Sequence, residues 1–207
     1  MTTIHAPGRA FRHTPERRQL RRLMAAMLVA AATLATLSPA RAQTPAAGHC
    51  NGMLRVPAEN RNYPDVRRYI RTPSGYLLVL RMGDNVLERL AAFAECEKIP
   101  SASLSAIGFA TVTFGFWDAG KQQFNPKTYR DVEMASVVGS LAWKEGKPSV
   151  HIHGVAGDGK FDTYGGHILA MEVGTGSLEV TVAVHNQRLE RAIDPLIGAN
   201  VLQLSHE

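Results

Sequence analysis

Cysteine is nearly absent from this sequence, since only Cys50 and Cys96 occur among its 207 residues. Two cysteines are too few for a zinc knuckle, and their spacing is not the C-x-x-C of a redox motif. An apolar run of the ~20 residues needed to cross a bilayer is also missing. The run Leu23–Leu37 has only 15 residues, so a retained membrane anchor is not expected.

Most of the chain has no excess of positive charge, although the formal net charge of the whole sequence is +5. Residues 1–42 contain seven arginines and one acid, whereas residues 43–207 contain 16 basic and 17 acidic residues, a net charge of −1. The folded part therefore lacks the basic surface of a nucleic-acid-binding protein. The apolar fraction of the whole chain, 45%, is enough for a folded core.

The first 42 residues have the pattern of an export signal. Four arginines at positions 17, 18, 21 and 22 precede the apolar run Leu23–Leu37, and Ala40-Arg41-Ala42 forms a small-x-small cleavage site. We expect cleavage before Gln43 and a periplasmic or secreted protein, by either the general or the twin-arginine route. The alternative is a short amphipathic leader on a cytoplasmic protein.

Export bears on the two cysteines, because an oxidising compartment permits Cys50 and Cys96 to pair. Such a disulfide would hold the N-terminal arm against the helix that contains Cys96. The alternative is one buried thiol and one idle thiol on a flexible arm, and the sequence leaves both open.

Beyond the signal, the pattern predicts an irregular arm over residues 43–65 and one α+β domain over residues 66–207, with a mainly antiparallel sheet. Short β-branched and aromatic runs alternate with turns, and connections of hairpin length favour antiparallel pairing. The principal helix is predicted over about residues 86–98, with Asn85 as its cap, Glu88 three residues on, and Pro100 beyond its end. A short helical turn is expected near Leu189–Ile193.

Three histidines form the candidate site. His151 and His153 lie two apart in a predicted strand, so both side chains point to one face. Gly165-Gly166 precedes His167, and the paired glycines let the third imidazole approach the first two. Three histidines with an open fourth position are typical of catalytic zinc. We expect the ring nitrogens to lie within roughly 4 Å of each other, each ring being oriented by an acceptor at its other nitrogen.

The opposing interpretation is that an H-x-H pair arises by chance and that these histidines simply lie on a solvated strand. A catalytic site would also need a general acid or base, for which Glu133, Asp158 and Glu179 are unranked candidates; Glu133 could equally be an exposed strand residue and Asp158 a turn former. The remaining candidates, His49, His185 and His206, have no comparable companions and are expected to be surface histidines.

Several motifs together resemble the PPC ("plants and prokaryotes conserved") domain family. They match its opening strand, its central strand, its G-[YF]-[FY]-D and E-x-x-S-x-x-G segments and its P-x-[VL]-H-x-H … G-G-H pair, in the same order along the chain. The matching segments are residues 75–84, 105–108, 115–118, 133–139, 148–153 and 165–167. The resemblance runs from about residue 71 to 204.

This resemblance implies an α+β fold around a bent antiparallel sheet, and usually a homotrimer. Plant members bind AT-rich DNA through a separate AT-hook, which is missing here, so no nucleic-acid partner is expected. The domain is also similar in architecture to zinc-dependent acetolactate decarboxylases, which hold zinc with an H-x-H pair and a later histidine. By that likeness the zinc ligands here are His151, His153 and His167.

Two functional hypotheses follow. The first is a zinc-dependent lyase or hydrolase that acts on a small polar substrate. The second is a non-catalytic trimeric binding or assembly module with no DNA-binding role, in which the histidines are structural or sensing. A carboxylate beside the open side of the metal would favour the enzyme.

Overall fold

The structure, a computed structural model, describes Cys50 and residues 67–204. All of these residues belong to one unit, Thr44–Glu207. The predicted export signal, and the predicted arm apart from Cys50, lie outside the described residues, as do His49 and His206. In the described part, no helix is long and apolar enough to span a membrane.

One helix and eight strands make up the described fold. The helix, α1, comprises Val86–Cys96. The strands are β1 (Tyr69–Thr72), β2 (Gly75–Arg81), β3 (Ser101–Asp118), β4 (Gln123–Lys144), β5 (Lys147–Gly157), β6 (Thr163–His185), β7 (Glu190–Ile193) and β8 (Asn200–Gln203). The short turn expected near Leu189–Ile193 is instead the short strand β7, which lies between β4 and β8.

All eight strands join one sheet with the order β1-β2-β6-β3-β4-β7-β8, and β5 pairs with both β4 and β6. Pairing is antiparallel except for a parallel bridge between Trp143 and Glu190. Because β3 also pairs with both β4 and β6, strands β3 to β6 form a closed ring. The ring encloses apolar side chains from all four strands, among them Val112, Met134, Ile152 and Ile168.

Helix α1 begins and ends as its sequence predicts, to within two residues. The Asn85 side chain accepts a hydrogen bond from the Glu88 N–H at 3.3 Å, which satisfies one free donor of the first turn. The helix ends at Cys96, and Lys98 adopts a positive φ of 54° just beyond it. The buried residues of the helix are Val86, Leu90, Phe93 and Ala94.

The predicted α+β class is wrong, because the fold is mostly β-strand with one helix of 11 residues. The strands are also longer than the short runs of the sequence suggest, and β3 alone has 18 residues. Gly108 takes a φ of +143° at a register shift, and a Cβ there would lie 2.1 Å from the Ser177 carbonyl oxygen. The strand therefore bends at this glycine without ending.

A disulfide joins Cys50 to Cys96 at the end of α1, with 5.9 Å between the Cα atoms. Cys50 is buried, and its N–H donates to the Tyr69 hydroxyl at 3.0 Å. Of the two possibilities that the sequence leaves open for the cysteines, the structure shows the paired one. Cys50 is thereby attached to the helix.

Candidate metal centre

Strand β5 supplies two histidines to one face of the sheet. Ile152 between them is buried in the ring, so the alternation of the strand directs His151 and His153 outward. Their Nε2 atoms lie 3.2 Å apart. The predicted same-face arrangement of this pair is confirmed.

His167 joins the pair from β6, where it lies directly opposite His153 in the antiparallel register. Its Nδ1 is 3.3 Å from His153 Nε2. The preceding glycines permit this approach: a Cβ at Gly165 would lie 2.8 Å from the Gly154 carbonyl oxygen, and Gly166 has a φ of +153°. The structure therefore brings together all three histidines that the sequence singled out.

The arrangement fits a metal ion with three imidazole ligands. One ring nitrogen from each histidine lies within 4.8 Å of the other two. At a Zn–N distance near 2.1 Å, the ligand atoms of a tetrahedral site are about 3.4 Å apart. The two separations at His153, 3.2 and 3.3 Å, are close to that edge length, so the expected spacing of roughly 4 Å is met for two of the three pairs; the third pair lies within 4.8 Å.

Burial keeps two of the rings neutral at pH 7. It lowers the pKa of His167 to about 4, with further lowering by the nearby His151 and His153. The pKa of His151 is lowered in the same way by burial first, and then by the positive charge of Arg191 and by His153. Neutral imidazoles have a free lone pair, which is the form that binds metals.

Arg191 on β7 is a neighbour of the site that sequence reasoning missed. Its guanidinium is buried and donates to Ser140 Oγ at 2.6 Å and to His151 Nδ1 at 3.3 Å. The expectation that an acceptor orients every ring is therefore wrong for His151, which faces a donor. No local signal could have found this contact, because it joins residues 40 positions apart.

The Arg191 contact assigns the tautomer of His151. A guanidinium only donates, so Nδ1 of His151 accepts and the proton of the neutral ring lies on Nε2. For His151 Nε2 to coordinate a metal, that proton must leave or move to Nδ1, where it meets an N–H of Arg191. Metal binding and the Arg191–His151 hydrogen bond therefore compete for the same ring.

An open cleft with a volume of about 850 Å³ adjoins the three histidines. Its wall is largely apolar and aromatic. Phe124 stacks on the His167 ring with 4.5 Å between centroids, and Trp117 packs edge-on against Phe124. Phe116, 79% exposed, stands at the open side. The cleft can accommodate a small molecule next to the ring nitrogens.

None of the three candidate carboxylates lines this cleft. Glu133 and Glu179 border a separate cavity beside Ile107. Asp158 accepts hydrogen bonds from the backbone N–H groups of Lys160 and Asp162, as a turn former does. Among the described residues that line the cleft there is no Asp or Glu.

Comparisons with known proteins agree with the motif resemblance. The chain matches the Plants and Prokaryotes Conserved (PCC) domain over residues 68–186. Among solved structures it is similar to a protein of Ralstonia eutropha JMP134, provisionally described as DNA-binding. The two are 60% identical with a TM-score of 0.65, over 67% of this chain and 96% of that one. The resemblance is thereby confirmed.

Two further structures are similar. A metal-containing protein of Archaeoglobus fulgidus is 32% identical, with a TM-score of 0.55 over 62% of this chain and 91% of that one. A plant- and prokaryote-conserved protein of Pyrococcus horikoshii, 23% identical with a TM-score of 0.56 over 63% and 92%, shows the fold alone. A comparison with curated proteins finds no match.

The architectural likeness to acetolactate decarboxylases is weak. A Staphylococcus aureus protein of unknown function, similar to alpha-acetolactate decarboxylase, is 15% identical with a TM-score of 0.40, over 55% of this chain and 53% of that one.

Proposed function

This chain belongs to the Plants and Prokaryotes Conserved domain family, and from that premise we propose that it is a zinc protein that acts on a small molecule as a lyase or hydrolase. One observation carries the proposal: three ring nitrogens converge beside an open cleft. The metal-containing relative from Archaeoglobus fulgidus, at 32% identity, supports it. Three imidazoles with a free fourth position favour zinc.

The residues of the chain hold and shape this site. His151, His153 and His167 supply the ligand atoms, and the stacked Phe124 ring limits rotation of His167. The apolar wall of the cleft excludes water from a bound molecule. When bound, zinc polarises a carbonyl oxygen or lowers the pKa of its water toward ~7.

A second candidate is the non-catalytic trimeric binding module. The absence of a carboxylate among the described residues of the cleft wall favours it, because most zinc hydrolases place a general base there. The two candidates differ in turnover and in their need for the metal, because in the binding module the histidines can be structural or sensing.

Metal content tests the zinc site that the first candidate requires. Protein purified from its native compartment is expected to contain one zinc per chain by plasma mass spectrometry, and chelator-stripped protein to regain one on dialysis against zinc. A stripped protein that stays below one-tenth of an equivalent after reconstitution would contradict the metal site. Loading with another metal in preference to zinc would contradict the choice of zinc alone.

We also propose that the protein is a homotrimer, as the resemblance implies. Large apolar side chains are exposed on β3: Ile107 is 57% exposed and Phe116 79%. Val138, opposite His153 in the register, is 53% exposed. Exposed apolar patches of this kind mark contact surfaces.

Oligomeric mass tests the trimer. Light scattering on the mature protein at micromolar concentration is expected to give three chains, and Ile107→Asp to shift the mass toward one chain, because a charge there would be buried in the interface. Leu196→Asp is the matched control: Leu196 is 90% exposed in the turn before β8, and its replacement is expected to leave the trimer intact. A monomeric wild-type protein would exclude this proposal.

Export and the lack of a nucleic-acid partner are likewise proposals. The disulfide Cys50–Cys96 supports an oxidising compartment. The net charge of −1 over residues 43–207 supports a role without DNA, although the Ralstonia eutropha relative is provisionally described as DNA-binding.

A further inference from the structure

The charge balance around the three histidines is one-sided. Arg191 is only 5% exposed, and both groups to which it donates, Ser140 Oγ and His151 Nδ1, are uncharged. Its Nε has no hydrogen-bond partner among the described residues. No ion pair within the described part of the chain includes it. A buried cation normally has an anionic partner, because burial without one is costly.

Metal loading makes this imbalance larger. The three histidines are neutral ligands, so a divalent metal adds two positive charges to that of Arg191. When His151 coordinates through Nε2, its Nδ1 carries the proton and no longer accepts from the guanidinium. The described cleft wall contributes no carboxylate in compensation.

We propose that the molecule that fills the fourth coordination position is a carboxylate with a flat apolar body, of the chemical class of benzoate. This inference rests on the proposed metal site and specifies its ligand. The carboxylate neutralises charge at the metal, and the body lies along Phe116, Trp117 and Phe124. Arg191 lies behind His151 and does not line the cleft, so it acts through its charge as a positioning residue.

The cleft wall selects carboxylate over phosphate. Phosphate and sulfate are strongly hydrated and are held by several N–H donors at once. The wall beside the histidines is mainly hydrocarbon, including Val150, Ile193 and the aromatic rings. Burial of an apolar body against such a wall is favourable. A strongly hydrated anion would lose its water there without gaining the N–H donors that it needs.

The test uses the full mature protein loaded with Co²⁺, whose visible absorption reports the coordination sphere. Benzoate is expected to change the spectrum saturably. Benzamide, which has the same shape without the charge, and acetate, which lacks the ring, should each bind at least tenfold more weakly. Inorganic phosphate should also bind more weakly than benzoate; tighter binding of phosphate would overturn the assignment to a carboxylate.

Variants separate the contribution of the Arg191 charge from that of the aromatic wall. Arg191→Gln is expected to weaken benzoate about tenfold at unchanged Co²⁺ stoichiometry, and Arg191→Lys to restore affinity to within about threefold, since charges separated by a low-dielectric interior interact over several ångströms. Arg188→Gln removes an exposed charge of the same segment and should change nothing. Phe116→Ala should weaken benzoate and leave acetate unchanged.

The outcomes distinguish this inference from the proposed function. Failure of the wild-type protein to develop a Co²⁺ spectrum would remove the metal site itself. A normal Co²⁺ spectrum that benzoate leaves unchanged, or equal affinities for benzoate and benzamide, would overturn the carboxylate inference and leave the metal site standing. The wild-type comparison decides this even where Arg191→Gln does not fold.

Discussion

Replacing His153 by alanine is expected to lower zinc affinity by more than roughly 100-fold, beyond the 10–100-fold typical of an outer-shell partner. Its Nε2 is the atom that lies 3.2 Å from His151 and 3.3 Å from His167, so its loss removes both close edges of the site. The fold should persist, because His153 is exposed and the neighbouring Ile152 remains buried. Competition against a chromogenic chelator measures the affinity, and thermal unfolding checks the fold.

His185→Ala is the matched control for this substitution. His185 also lies on β6, one of the four strands of the closed ring. Its imidazole nitrogens instead contact the hydroxyl groups of Ser101 and Ser103, at 3.2 and 3.0 Å. Zinc affinity is expected to be unchanged in this variant. Wild-type affinity in the His153 variant, or an equal loss in both variants, would show that the ion is held elsewhere.

Removal of the disulfide is expected to lower the free energy of unfolding by about 2–4 kcal/mol. Cys50 and Cys96 are 46 positions apart, and a cross-link over such a loop restricts the unfolded chain. The double variant Cys50→Ser/Cys96→Ser should therefore unfold at lower urea concentration but retain its zinc. Dithiothreitol should destabilise the wild type and leave the double variant unaffected; equal stability of the two proteins without reductant would contradict the prediction.

The mass of the exported protein tests both the cleavage site and the disulfide. Intact-mass measurement on exported protein is expected to give an N-terminus at Gln43 or within a few residues of it, and a gain of two hydrogen atoms on reduction. A mature species that retains Leu23–Leu37, or one whose mass does not change on reduction, would count against export with an oxidised Cys50–Cys96 pair.

The histidine cluster was predictable because its geometry is local. The alternation of a strand places His151 and His153 on one face, and antiparallel pairing needs only a turn to bring His167 opposite. The position of Arg191 depends instead on how β7 docks onto β4, through the bridge between Trp143 and Glu190. Its segment was expected to be a helical turn, so its side-chain direction could not be derived.

The fold class was not predictable from local signals. A glycine inside a strand pattern often marks a bulge or a break, and Gly108 and Gly174 are such positions. Paired neighbours on both sides keep β3 and β6 continuous through these positions. Continuity of this kind depends on tertiary contacts, which a window of a few residues does not contain.

The closed ring of β3 to β6 affects how the proposed ion would bind and dissociate. His153 and His167 are adjacent on hydrogen-bonded strands whether or not an ion is present. Unlike a zinc finger, in which the cation organises the chain, this protein would incur little entropic cost on binding the proposed ion, since folding has already placed the ligands. The scaffold could therefore release and rebind the proposed ion without unfolding, as an exchangeable cofactor requires.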